Sequence, residues 1–168
     1  MDAITVLVVE HNSSLSVLLE QLLRSEPDID LVGQASEVAH ALALLADKPP
    51  AVVVMDVLLP NIGVLEAILL FRAKSPHSKI ILLADREESR YHETAVRYGA
   101  AACLRKDRIA TDLVPLMKQV AQQAPVIKLL SSVTNPATSE RTLGTTDKPQ
   151  KPENPLAAKE IIPSNVPT

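Results

Sequence analysis

The first 124 residues alternate short apolar runs with segments in which leucine and other apolar residues recur at helical spacing. The apolar runs are ITVLVV (4–9), IDLVGQ (29–34), AVVVM (51–55), KIILLA (79–84) and AACL (101–104). Strands that are apolar along most of their length are typical of a parallel sheet covered by helices on both faces. The pattern therefore predicts an α/β fold, a doubly wound five-stranded parallel sheet with the strand order 2-1-3-4-5.

The predicted helix ends carry signals of their own. Asn12 or Ser13 is suited to cap the first helix. Gly99 is suited to the left-handed conformation that ends the fourth helix. The last helix is expected to begin near Leu113, and it tolerates Pro115 if Asp112 is its N-cap, because Pro115 then lies in the first turn, where the missing N–H of proline is not needed.

Composition argues against several classes of protein. The formal net charge is −3, so we expect no wholesale basic surface for direct nucleic-acid binding. The single cysteine, Cys103, cannot form an intramolecular disulfide, which fits a reducing compartment. No apolar run approaches the roughly 18 residues that a membrane span requires, and the N-terminus lacks the pattern of a signal peptide. We therefore expect a cytoplasmic protein that does not enter the membrane.

The chain changes character after residue 124. Seven of its 13 prolines lie in residues 125–168, a segment that is also rich in Ser, Thr, Asn and Lys. Because this segment has neither a strand nor a helix period, burial cannot offset the entropy cost of ordering it. We predict one domain over residues 1–124 and a disordered C-terminal tail over residues 125–168. Two apolar stretches in the tail, VIKLL (126–130) and EIIP (160–163), are either linear binding motifs or parts of an inert spacer.

Charged side chains follow the predicted strands at one edge of the sheet. Glu10 and His11 follow the first strand, Asp56 ends the third, and Lys106 follows the fifth. Functional groups of open parallel sheets lie beyond the carboxyl ends of the strands. We therefore expect Glu10 and Asp56 to face each other, with Lys106 on the other side. This places Asp56 at the mouth of a crevice, outside the core.

These charged groups suit phosphoryl chemistry. Paired carboxylates suit a hard cation such as Mg²⁺, and a lysine suits a bound phosphoryl group. A carboxylate can also attack phosphorus and form an aspartyl phosphate. The residues alone leave a second interpretation open, in which Asp56 only caps the next segment or pairs with Lys106.

The order and spacing of these residues resemble the receiver domain of two-component response regulators, the CheY-like family with a flavodoxin-like fold. The resemblance extends from residue 3 to about residue 122, and the stretch 26–61 is closest in pattern to receivers of the NarL/LuxR-type subfamily. Asp56 matches the phosphoacceptor, Leu59-Pro60 match a hydrophobic-Pro pair, and Lys106 matches the lysine that follows strand five. The predicted tail is too short for the helix-turn-helix output domain of that subfamily.

The resemblance implies a cofactor and partners. Glu10 and Asp56 are expected to hold Mg²⁺. The phosphoryl donor is expected to be a sensor histidine kinase or a phosphotransfer protein. A downstream protein is expected to bind the face built from helix 4, strand 5 and helix 5. On this chain that face includes Tyr91, Ala95, Tyr98, Cys103, Ile109 and Leu113.

The chain departs from the family pattern at Gly63-Val64, where an Asp-Gly pair is expected, and at three positions that concern the metal and the switch. His11 stands where a second metal-binding acid is expected, and imidazole is a poor ligand for Mg²⁺, so the metal is expected to bind weakly. Ala84 replaces a Thr or Ser whose hydroxyl would bond a phosphoryl oxygen, and Cys103 replaces an inward-swinging aromatic. Both switch positions are therefore degenerate. A protonated His11 between the two carboxylates would stand in for the cation, or else His11 is a tolerated replacement at a decayed metal site.

Two functions are compatible with these observations. In the first, the chain is an atypical single-domain response regulator that is phosphorylated on Asp56 in a phosphorelay and signals by protein–protein contact. In the second, it is a pseudo-receiver, a protein-binding module that works without phosphorylation. We do not expect an enzyme, because phosphatases of the haloacid-dehalogenase type need a second Asp two residues on, where this chain has Leu58.

Overall fold

The computed structural model describes residues 3–85 and 92–123, except for the side chain of Asp47. Five strands form one parallel sheet in the order β2-β1-β3-β4-β5: β1 (Ile4–Val9), β2 (Ile29–Ala35), β3 (Val52–Asp56), β4 (Lys79–Ala84) and β5 (Ala102–Arg105). The helices that alternate with them are α1 (Ser13–Arg24), α2 (Val38–Asp47), α3 (Val64–Lys74), α4 (His92–Arg97) and α5 (Ile109–Ala121). The predicted α/β class, parallel sheet and strand order are confirmed.

Both faces of the sheet are covered, which explains why the strands are apolar along their length. In β1, Val6 and Val8 belong to one buried cluster, whereas Leu7 and Val9 belong to another. The first cluster includes buried residues of α1 and α5, and the second includes buried residues of α2, α3 and α4. Each fully buried Val or Leu side chain contributes about 1.5–3 kcal/mol relative to an exposed one.

Two of the predicted helix ends are confirmed. The side chain of Asn12 caps α1, and its Oδ1 accepts a hydrogen bond from the backbone N–H of Leu15 at 3.0 Å. Gly99 has a φ of +111° just after α4. This conformation is strained for any residue with a Cβ, and a Cβ at Gly99 would also lie 3.3 Å from Cδ of Arg72.

The predicted start of the last helix is wrong. A 3-10 turn at Lys106–Arg108 leads directly into α5, which begins at Ile109, so Pro115 lies inside the helix and not in its first turn. Asp112 lies within the helix and accepts a hydrogen bond from Nε of Arg108 at 3.0 Å. Burial of the Ile109 side chain accounts for the earlier start, because it adds one more apolar contact to the core.

The predicted tail, residues 125–168, lies outside the described residues, and so do its two apolar stretches. The division of the chain at residue 124 therefore stays a prediction. Among the described residues, no helix is both long and apolar enough to cross a membrane.

Candidate functional site

The sheet brings the ends of β1 and β3 together. Val9 pairs with Met55 in the parallel register, so Glu10, the residue after β1, and Asp56, the last residue of β3, lie side by side at this edge of the sheet. The backbone N–H of Glu10 extends the ladder to the carbonyl of Ala35 at 2.9 Å. Strand pairing alone thus explains why two acids that are distant in sequence meet.

Asp56 is fully buried, with an exposed fraction of 0%. Nζ of Lys106 donates a hydrogen bond to its Oδ2 at 3.0 Å and lies 3.0 Å from its Oδ1. The backbone N–H of Leu58 donates to Oδ1 at 3.1 Å. The expected approach of Lys106 is therefore found, but the expectation that Asp56 lies at the mouth of a crevice is wrong. Neighbouring groups pack against its carboxylate and leave it no contact with solvent.

Glu10 is a second buried carboxylate, with an exposed fraction of 2%. Its Oε1 accepts a hydrogen bond from the backbone N–H of Asn12 at 2.8 Å, whereas its Oε2 has no hydrogen-bond partner among the described residues. Burial raises the pKa of Glu10, and the charge of Asp56 raises it further. The Asn12 N–H and the charges of Lys106 and His11 offset only part of this rise.

His11 lies against both carboxylates. Its Nδ1 is 3.3 Å from Oδ2 of Asp56 and 3.5 Å from Oε1 of Glu10. One ligand atom from each of Glu10, His11 and Asp56 falls within 4.8 Å of the other two. The His11 side chain is 45% exposed, so it is the member of this cluster that solvent and ligands reach first.

Lys106 connects the cluster to the end of β4. Burial alone would lower the pKa of Lys106, but the hydrogen bond and charge of Asp56 outweigh it, and the pKa is raised. Glu10 and Asp85 add smaller contributions in the same direction, with Nζ of Lys106 3.8 Å from Oδ2 of Asp85. Sequence reasoning missed this role of Asp85, although its position at the end of β4 indicated it.

The family to which the chain belongs follows from comparison with known proteins. The family described as the response regulator receiver domain matches residues 6–118. This chain is a response regulator receiver.

Curated relatives of this receiver include response regulators and proteins named protein-glutamate methylesterase/protein-glutamine glutaminase. The chain is 28% identical over 144 residues to the nitrate/nitrite response regulator protein NarL of Escherichia coli, which covers 82% of the chain and 67% of NarL. It is 30% identical over 117 residues to the response regulator GacA of Pseudomonas aeruginosa, which covers 70% of the chain and 55% of GacA. The receiver thus spans between about half and two thirds of the length of these relatives.

Solved receiver structures share the fold. The response regulator domain of Thermotoga maritima CheB is 26% identical, with a TM-score of 0.65 over 73% of this chain and 99% of that one. The receiver domain of the putative response regulator NarL from Mycobacterium tuberculosis is 22% identical, with a TM-score of 0.68 over 74% of this chain and 100% of that one. The family match places this chain among the receivers of two-component signalling, and the solved structures share its fold.

Receivers of this family bind Mg²⁺ in an acidic pocket, and the donor set of this receiver fits that ion only in part. Glu10 and Asp56 offer the carboxylate oxygens that Mg²⁺ prefers. The third group is the imidazole of His11, which suits this hard cation poorly. Glu10 and Asp56 would thus hold the cation. Because position 11 is a histidine and not a second acid, the site has one carboxylate fewer than the family pattern provides.

The two positions that were expected to act as switches are part of the core or pack against it. Ala84, at the end of β4, is 1% exposed and offers no hydroxyl. Cys103, in β5, is half-buried and packs against the same apolar cluster as Ala84. Neither position carries a side chain with a phosphate-binding hydroxyl.

The predicted partner face is largely wrong in its residues. Ala95, Ile109 and Leu113 are buried in the two core clusters, with exposed fractions of 0–2%. The resemblance gave only the elements of this face, and the structure packs these three side chains against the sheet. Tyr98 is exposed and Cys103 half-buried, whereas Tyr91 lies outside the described residues.

Proposed function

We propose that this receiver accepts a phosphoryl group on Asp56 from a phosphohistidine of a sensor kinase or phosphotransfer protein. The observation that carries the proposal is the contact of the Lys106 ammonium with both carboxylate oxygens of Asp56. An ammonium in this position neutralises the carboxylate before transfer and attracts phosphoryl oxygens after it.

The transfer itself requires little covalent chemistry from the protein. One carboxylate oxygen of Asp56 attacks phosphorus, the P–N bond to the donor histidine breaks, and the imidazole leaves with the electron pair. The Leu58 N–H holds Oδ1, while His11 lies 3.3 Å from Oδ2. Because His11 is the more exposed of these two neighbours, we expect the donor to approach the carboxylate from the side of His11. A divalent cation held by Glu10 and Asp56 would neutralise charge that develops on the phosphoryl group.

The response to phosphorylation is expected to be small in this receiver. A modification shifts a conformational equilibrium only if it makes different contacts in the two states. Ala84 cannot offer a hydroxyl to the phosphoryl group, and Cys103 cannot act as a rotating aromatic ring. We infer that signalling proceeds by protein–protein contact at the face of α4, β5 and α5, where Val96 and Tyr98 are exposed.

A second candidate function is a pseudo-receiver that binds its partner without phosphorylation. The full burial of Asp56 favours this alternative, because a phosphoryl donor has to displace neighbouring groups to reach the carboxylate.

Incubation with a small phosphoryl donor separates the two functions. The purified chain is treated with acetyl phosphate or phosphoramidate and a divalent cation, and its intact mass is compared with that of Asp56→Asn. A gain of about 80 Da, one phosphoryl group, that is lost in Asp56→Asn supports the acceptor function. A folded chain that gains no mass with either donor supports the pseudo-receiver.

A further inference from the structure

We propose that Glu10, His11 and Asp56 form a binding site for a first-row transition-metal dication, of the Mn²⁺ to Zn²⁺ series, in preference to Mg²⁺. The proposal deepens the proposed function because it concerns the same site. It does not require that Asp56 be phosphorylated, so the two are tested separately.

The spacing of the donor atoms suits a shared ion. Metal–nitrogen and metal–oxygen bonds of about 2.0–2.2 Å place ligand atoms at adjacent coordination positions about 3.0–3.5 Å apart. Nδ1 of His11 lies 3.3 Å from an oxygen of Asp56 and 3.5 Å from an oxygen of Glu10. These separations exceed the range of about 2.7–3.2 Å that is usual for a hydrogen bond between N–H and oxygen.

An unpartnered buried oxygen provides a second, independent indication. Oε2 of Glu10 is buried and has no hydrogen-bond partner among the described residues, although its carboxylate is part of the cluster. A buried carboxylate oxygen without a donor is costly, and a cation compensates such an oxygen as well as a donor does. With Asp56 beside it, Glu10 brings a second negative charge into the same buried space.

The identity of the donors decides which cation is favoured. Two carboxylates alone suit hard cations, whereas an imidazole nitrogen suits Mn²⁺, Co²⁺ and Zn²⁺ increasingly well. The remaining coordination positions would be filled by water. A pocket of about 400 Å³ beside the cluster has room for these water molecules. Its lining includes Glu10, His11, Ser13, Ser16, Gln34 and His40.

The test compares Co²⁺ with Mg²⁺ in the full chain and two variants. Affinities are measured by calorimetry in the absence of any phosphoryl donor, and thermal unfolding verifies that each chain is folded. His11→Asp replaces the imidazole by a carboxylate. His77→Asp makes the same chemical change at an exposed position in the loop before β4 and serves as the matched control. We expect the ratio of Co²⁺ to Mg²⁺ affinity to fall about tenfold or more in His11→Asp and to stay unchanged in His77→Asp.

Spectroscopy of the unmodified chain gives an answer that does not depend on the variants. Bound Co²⁺ should shift the imidazole proton resonances of His11 and not those of His77. An unchanged affinity ratio in His11→Asp, or Co²⁺ bound away from His11, would overturn the proposal. If Co²⁺ binds at His11 but the chain gains no phosphoryl mass, only the acceptor function fails. If the chain gains the mass of a phosphoryl group but Co²⁺ does not bind at His11, only the metal proposal fails.

Discussion

The ammonium of Lys106 lies 3.0 Å from each of the two carboxylate oxygens of Asp56. The carboxylate is fully buried, while the lysine side chain is 18% exposed. The buried charge of Asp56 is therefore compensated by Lys106, whose partly exposed side chain can move away from the carboxylate. This arrangement is compatible with a phosphoryl acceptor whose negative charge is compensated by Lys106 until a donor reaches the carboxylate.

Removing the lysine charge should destabilise the fold. In Lys106→Met, Asp56 keeps its buried charge without the ammonium, so we expect the free energy of unfolding to fall by about 2–4 kcal/mol. Urea denaturation at neutral pH measures the change. The control is Lys118→Met, which removes a more exposed ion pair with Asp28 and should cost no more than about 1 kcal/mol. Equal losses of unfolding free energy in the two variants would show that the buried charge of Asp56 does not require Lys106.

Neutralising Glu10 should stabilise the metal-free receiver. Because the pKa of Glu10 is raised in the folded state, its proton is held more tightly there than in the unfolded chain. Its contribution to stability is therefore full below the ordinary value of 4.5 and is lost as the pH rises through the folded pKa. Glu10→Gln, compared with the unmodified chain in a chelator, should gain on the order of 1 kcal/mol at pH 7.5.

The gain in the free energy of unfolding from Glu10→Gln should vanish as the pH is lowered towards 4.5, because the Glu10 carboxyl is then protonated and neutral, like the amide of Gln. Thermal unfolding of both chains over this pH range provides the measurement. A gain that is the same at every pH would mean that the charge of Glu10 is not its source.

Restoring a hydroxyl at Ala84 should strengthen the response to phosphorylation. We compare Ala84→Thr with Ala84→Val, which has nearly the same shape but no hydroxyl, each combined with Cys103→Tyr. Hydrogen exchange in α4, β5 and α5 should change more on phosphorylation in the Thr variant than in the unmodified chain. The Val variant should respond no more than the unmodified chain. If Thr and Val behave alike, the hydroxyl is not what couples the site to this face.

Pro115 should cost stability where it stands. It lies in the interior of α5, on the exposed side, and cannot donate a hydrogen bond to the carbonyl of Thr111. Pro115→Ala should raise the free energy of unfolding by about 1–3 kcal/mol, whereas Pro76→Ala in the loop before β4 should not. Denaturant unfolding of the two variants compares them directly, and a destabilised Pro115→Ala would contradict the helical position of Pro115.

Sequence reasoning predicted the fold because the strands are apolar along most of their length. This pattern distinguishes strands that are buried on both faces from strands that are exposed on one face. Sequence reasoning also predicted that Glu10, Asp56 and Lys106 converge, because strand order fixes which carboxyl ends are neighbours. The exposure of Asp56 was beyond it, since that depends on how the side chains of His11 and Lys106 pack against the carboxylate.

The errors in α5 have a related origin. A local capping signal at Asp112 competed with the burial of Ile109 one turn earlier, and tertiary packing prevailed. Apolar residues such as Leu113 were assigned to a partner surface, because the resemblance gives the elements of that surface and not which side of each helix faces the sheet. The structure places that face against the sheet.

Chemical trapping of the acyl phosphate identifies the phosphorylated residue of this receiver. The chain is phosphorylated with acetyl phosphate, reduced with borohydride, and digested for peptide mass spectrometry. Borohydride converts an aspartyl phosphate to homoserine, so we expect homoserine at position 56 and at no other acid. The unreacted chain and a Lys106→Met sample should show little or no conversion. Homoserine at another position, or none at position 56 in a folded and donor-treated chain, would contradict the assignment of Asp56 as the phosphoacceptor.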